Sequence, residues 1–212
     1  MKFLKLIVPV LFSFLIFCHT SFSSPDGGAG IRSISVMNHG SGKLGTYRAL
    51  IIGIQDYDDP TISDLQTPLK DARVMARILK KKYGFQTIEL MDKQATRKAI
   101  YTALRNITHT AKSEDSILIY FAGHGDIDKT FDDGWWIPVD AKGGDPTTYL
   151  DNTTVQKAMR NLKSRHVLLI SDSCYSGTLF GQARAMPKVI DDKYYLNLYN
   201  EKSRWGMTSG NK

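Results

Sequence analysis

Val167-Leu168-Leu169-Ile170-Ser171-Asp172-Ser173-Cys174-Tyr175-Ser176-Gly177 is the stretch on which the reading of this chain turns. Its run of apolar residues, Val167 to Ile170, predicts a buried strand. A Ser/Cys/Gly turn follows at once. That sets the Cys174 thiol at the carboxyl end of a strand, where open α/β sheets hold their ligands. Fifty residues earlier (174 − 124) the pattern recurs as Ile117-Leu118-Ile119-Tyr120-Phe121 followed by Ala122-Gly123-His124-Gly125. A second buried strand therefore ends in an imidazole flanked by glycines. If the two strands are neighbours in a parallel sheet, His124 and Cys174 face each other at one rim as base and nucleophile.

The motifs Tyr120-Phe121-Ala122-Gly123-His124-Gly125 and Asp172-Ser173-Cys174-Tyr175-Ser176-Gly177 resemble the two active-site signatures of caspase-like cysteine peptidases. The second is nearer to the metacaspase and bacterial caspase-homologue branch, because Asp-Ser-Cys stands where true caspases have Gln-Ala-Cys. The His-to-Cys spacing fits as well. The resemblance runs from about Tyr47 to the C-terminus. It implies a caspase-like fold with strand order 2-1-3-4-5-6 and a Cys-His dyad of Cys174 and His124. The backbone amides of Gly125 and Cys174 are its implied oxyanion donors. No third residue to orient the histidine is implied. The family carries a further strand and helix beyond this chain's last predicted strand, so by resemblance the chain reads as C-terminally short.

The resemblance also bears on specificity. Asp172 stands where true caspases place a glutamine, and Asp71 in Leu69-Lys70-Asp71-Ala72 matches a metacaspase position lining the same pocket. Two carboxylates there favour a polypeptide substrate with Arg or Lys before the scissile bond and repel Asp. Against this, Asp71 also reads as an ordinary charge in a helix's first turn. Ala122 occupies a position that is Ser in many metacaspases, and Pro68 one that is often Cys. Arg184 and Lys188, in the loop after Cys174, are then candidate self-cleavage sites. Some metacaspases need calcium, but Asp126, Asp128, Asp132 and Asp133 do not make an EF-hand. Phe131 stands where glycine is needed and Ile137 where the bidentate acid is needed. No metal site and no cofactor are predicted.

Residues 1–23 read as a secretory signal peptide: Lys2 and Lys5, an apolar run from Leu6 to Phe17, and a small-x-small site at Ser21-Phe22-Ser23. The run is short against the roughly 20 residues needed to span a bilayer, so no stable membrane insertion is expected after processing. The expected location is periplasmic or secreted. Removal of the segment leaves 28 − 2 = 26 basic against 21 acidic side chains, a mild excess of +5. The only dense basic run, Lys80-Lys81-Lys82, falls at a predicted helix end, where it meets the negative end of the helix dipole. No basic face with interleaved aromatics points to nucleic acid. Of the two cysteines, only Cys174 survives processing, which leaves it a free thiol in a Ser/Gly turn.

Residues 24–46, with six glycines, read as a flexible linker, and 47–212 as the catalytic domain. Strands are expected at Tyr47–Ile54, Gln86–Met91, Ser116–Phe121, His166–Ser171 and from Trp205. Thr67 with Pro68 opens one helix, with Leu69, Ala72, Ala76 and Leu79 on its buried face. Thr96 caps the next, with Ile100, Ala103, Leu104 and Ile107 inward. Thr153 or Thr154 caps a third, and Asp191 to about Lys202 is a possible fourth. Gln55–Gln66 is a polar loop, and Trp135–Val139 a short hairpin over the sheet edge. Alternating strands and helices predict a three-layer α/β/α sandwich with a mainly parallel sheet. The expected function is a cysteine endopeptidase. The competing readings are a catalytically silent caspase-fold protein that binds partners, and an amidase or acyltransferase using the same dyad. Asp172 argues against the last, since a small acyl substrate needs no acidic pocket.

Overall fold

The computed structural model describes residues 45–128, 130, 131, 133–173 and 202–209. The predicted signal peptide, most of the linker, Cys174, Arg184, Lys188 and residues 191–201 of the last predicted helix lie outside the described residues. The described elements, in chain order, begin with strand β1 (Tyr47–Gly53), helix α1 (Pro68–Tyr83), β2 (Gln86–Met91), α2 (Arg97–Thr110) and β3 (Ser116–Ala122). There follow β4 (Gly125–Asp128), β5 (Asp133–Trp136), β6 (Leu150–Asp151), α3 (Asn152–Asn161), β7 (His166–Asp172) and β8 (Ser203–Thr208).

Five strands form one parallel sheet in the order β2-β1-β3-β7-β8. The expected mainly parallel α/β sandwich is the observed architecture. Its central strands are apolar throughout because both faces are covered. On one face Leu50, Ile52, Ile119, Phe121, Val167 and Leu169 join Ile100, Leu104 and Ile107 of α2 and Val155 and Met159 of α3 in the main core. On the other face lies α1. Gly53 is what lets it come so close: a Cβ at 53 would meet the Ala72 Cβ at 2.5 Å and the Pro68 carbonyl oxygen at 3.2 Å.

The predicted Trp135–Val139 hairpin is instead part of a three-stranded antiparallel sheet, β4-β5-β6, with β4 and β5 as the hairpin. It is not a cover for the sheet's edge. Trp136 is buried and stacks on Phe121 of β3, ring centroids 4.3 Å apart, so the small sheet is anchored in the core.

The helix ends correct three expectations. Thr67 occupies the N-cap of α1 without a side-chain bond, and Pro68 alone marks the start. Leu69 is only half-buried, and Met75 completes the inner face. The α3 cap is Asp151, whose carboxylate accepts from the Thr154 amide at 2.6 Å. Asp competes well with Thr at this position because an ionised acceptor bonds more strongly to an N–H at the positive helix end. The last strand opens at Ser203, two residues before the expected Trp205. Arg204 secures it there by donating to the carbonyls of Met159, Leu162 and Arg165 at 2.8–3.0 Å, which bridges β8 to the C-terminal end of α3.

Candidate active site

Strands β3 and β7 are adjacent, with Ala122 opposite Asp172. Beyond that pair the Gly123 amide donates to the Asp172 carbonyl at 3.3 Å. His124 stands two residues past Ala122, and Cys174 two residues past Asp172 in sequence. The described register thus brings the two strand ends level at the carboxyl rim, as the spacing of the motifs predicts. Cys174 itself lies outside the described residues.

His124 is held on several sides. Its amide donates to the Tyr57 hydroxyl at 2.8 Å, and its carbonyl accepts from the Ile137 amide at 3.1 Å. The Nε2 lies 2.8 Å from the Ser63 carbonyl oxygen. A carbonyl oxygen only accepts, so Nε2 carries the proton of the neutral ring. That tautomer leaves the Nδ1 lone pair available as a base. The Tyr57 ring lies against the imidazole with centroids 5.2 Å apart. The resemblance names no third residue to orient the histidine; in the structure the Ser63 carbonyl and the Tyr57 ring lie against it. No motif search finds a carbonyl, because any residue type can supply one.

The Ile137-to-His124 bond also fixes Gly125. In an antiparallel ladder, hydrogen-bonded and non-hydrogen-bonded pairs alternate. His124 and Ile137 occupy a bonded position, so the next pair, Gly125 and Trp136, is a non-bonded one. The Gly125 amide consequently points away from β5.

Asp71 in α1 and Asp172 in β7 lie 101 positions apart (172 − 71), yet both act electrostatically on one side chain. Tyr120 is buried on the α1 face of β3. Burial raises its pKa far above the usual phenol range, and the nearby carboxylates of Asp172 and then Asp71 raise it further. Both acids are half-buried. On the opposite face, Trp136 Nε1 donates to Ser171 Oγ at 3.1 Å, and Ser171 Oγ lies 3.0 Å from Ser173 Oγ. This buried polar chain ends at the residue before Cys174. Among the described residues, no cluster of His, Cys, Asp or Glu has the arrangement of a metal site.

A parallel α/β sandwich with an imidazole at its carboxyl rim, beside a strand followed in sequence by Cys174, defines the caspase-like class. The caspase-domain profile of peptidase family C14 matches residues 46–205, and the chain belongs to that family. It is 29% identical over 156 residues to metacaspase-1B of Aspergillus fumigatus, covering 63% of this chain and 36% of that protein. It is 29% identical over 161 residues to metacaspase-4 of Arabidopsis thaliana, covering 66% and 35%. A crystal structure of a Geobacter sulfurreducens protein superposes with a TM-score of 0.53 at 26% identity, over 63% of this chain and 52% of that one. The chain spans little more than a third of the curated relatives it matches.

Proposed function

We propose that this chain is a cysteine endopeptidase that cuts after Arg or Lys. The observation that supports it best is the His124 tautomer: a ring with Nε2–H held by the Ser63 carbonyl keeps Nδ1 as a base at the rim where β7 leads to Cys174. In this reading the Cys174 proton passes to Nδ1 and the thiolate attacks the scissile carbonyl carbon. The amides of Gly125 and Cys174 receive the oxyanion. Collapse breaks the C–N bond, and the imidazolium gives its proton to the leaving amine. A water, deprotonated by the same nitrogen, then hydrolyses the thioester and returns the thiol.

Asp172 and Asp71 are the proposed acceptors for the substrate's guanidinium or ammonium group. A like-charged Asp side chain is rejected beside them. Arg184 and Lys188 remain the proposed self-cleavage positions. Export through residues 1–23, and action without a resident cofactor, belong to the same reading.

The test is hydrolysis of paired fluorogenic peptides ending in Arg and in Asp by the full chain and its Cys174→Ala variant. Cleavage after Arg that disappears in the variant is expected. Cleavage after Asp overturns the roles of Asp71 and Asp172. Cleavage that survives in the variant overturns the dyad.

A further inference from the structure

The loop of residues 55–66 has no regular structure, yet it is pinned at four points. The Gln55 amide donates to Asp92 Oδ1 at 2.8 Å, and the Tyr57 amide to Asp64 Oδ1 at 2.9 Å. The Asp58 amide donates to the Val139 carbonyl at 3.0 Å, and the Leu65 amide to the Gln55 carbonyl at 2.9 Å. The carboxylate of Asp92, a residue held at a φ of 44°, makes the first of these ties, from the short 3-10 helix Asp92–Gln94 that follows β2. Two of these ties reach other segments, at Asp92 and Val139, and two brace the loop internally, so it behaves as a rigid bracket.

What the bracket holds is His124. Tyr57 is buried, and its hydroxyl accepts from the His124 amide, the main-chain donor that the β4–β5 ladder does not engage. The space around that hydroxyl is closed: a Cβ at Gly123 would meet it at 3.2 Å. The Tyr57 ring limits rotation of the imidazole, while Ser63, six residues further along the same loop, receives Nε2–H. One loop thus sets both the main chain and the ring of the histidine.

We propose that Tyr57 is a positioning residue for His124: its hydroxyl fixes the histidine main chain so that the ring reaches the Ser63 carbonyl and keeps Nδ1 directed at the rim. The kinetic consequence rests on the peptidase reading; the geometric one does not. Burial keeps the phenol neutral well above neutral pH, so the hydroxyl is a permanent part of the bracket.

Tyr57→Phe in the full chain is the test, because it keeps the ring and removes only the acceptor. Three readouts are taken: thermal unfolding, kcat and KM on the Arg-terminated peptide, and NMR of His124 (amide hydrogen exchange and ring 13C relaxation). The expected result is faster exchange of the His124 amide, a more mobile ring, and kcat lower by roughly ten- to a hundredfold with KM nearly unchanged. Wild-type exchange and ring order in the variant overturn the proposal, as do kcat and KM falling together with the melting temperature. If the wild-type chain cleaves neither peptide, the peptidase reading fails separately. The NMR comparison then decides the proposal alone: a ring loosened by the substitution sustains it, and an unchanged ring refutes it.

Discussion

Gly53→Ala tests how the seating of α1 bears on the acidic pocket proposed at Asp71 and Asp172. The new Cβ would lie 2.5 Å from the Ala72 Cβ, 3.2 Å from the Pro68 carbonyl oxygen and 3.4 Å from the Met91 sulfur. Carbon atoms rest at roughly 3.5–4.0 Å, so α1 has to move outward by about 1 Å or more. Neither the Ala72 Cβ nor the Pro68 carbonyl can swing aside as the tip of a long side chain could. Overpacking of this kind costs about 1–3 kcal/mol. In a chain of this size each kcal/mol lowers the melting temperature by roughly 2–4 °C, so scanning fluorimetry should read a fall of about 2–12 °C. The second consequence is electrostatic, since Asp71 is the helical neighbour of Ala72. Opening a carboxylate–guanidinium contact from about 4 to about 5 Å, at an effective dielectric of about 20, loses roughly 0.8 kcal/mol, or about fourfold in affinity. KM for an Arg-terminated peptide should rise by about that factor. The rate constant kcat should change less, because the clash is made by Gly53 of β1 with α1 and Met91, whereas His124 follows β3 and Cys174 follows β7 in sequence. An unchanged melting temperature refutes the packing argument. A lowered melting temperature with an unchanged KM refutes the placement of Asp71 in the pocket.

Other perturbations read other parts of the structure. Arg204→Met keeps the apolar stem but removes the donors to the Met159, Leu162 and Arg165 carbonyls, so a loss of about 1.5–3 kcal/mol is expected from urea unfolding; a change within about 0.5 kcal/mol refutes the bridge. Tyr57 and Tyr120 are buried phenols whose folded-state pKa values are raised, chiefly by burial, above the unfolded value near 10. Their stabilisation is therefore full below pH 10 and is lost as pH rises beyond it. Each contributes a slope of about −1.4 kcal/mol per pH unit above that point. Tyr120→Phe should flatten the alkaline limb of the stability curve by one such share, and equal slopes in variant and wild type refute the assignment.

The parallel sheet was legible in the sequence because a doubly covered strand is apolar at every position, and Leu50–Ile52, Ile117–Phe121 and Val167–Ile170 all show it. The inward stripe of α2 was legible for a similar reason: Ile100, Ala103, Leu104 and Ile107 keep helical period and are all buried. Less was legible where chemistry depends on the main chain. Tyr57 and Ser63 lie in a polar loop without periodicity, and their parts are played by a hydroxyl bonded to an amide and by a carbonyl. The α3 cap is ambiguous in the sequence because Asp151 and Asn152 directly precede Thr153 and Thr154, and any of the four is an acceptable N-cap by residue type. Trp136 gave no sign of stacking on Phe121, since contacts between segments leave no mark on local spacing.

The end of β7 sends consecutive polar residues to opposite faces of the sheet. Side chains on a strand alternate between faces. Ser171 therefore points into the main core, where Trp136 donates to it and Ser173 bonds to it from the same face. Asp172 points to the other face, where α1 brings Asp71 and β3 brings Tyr120. A slip of one residue in the β3–β7 register would bury the Asp172 carboxylate against Trp136 and turn the Ser171 hydroxyl toward Asp71. Burying an ionised carboxylate without a partner costs several kcal/mol, so the acid itself helps to hold the register that places it. The Ser171–Ser173 hydroxyl pair and the placing of the Asp172 carboxylate on the α1 face thus depend on one strand alignment, and the Ala122–Asp172 pair is where that alignment ends.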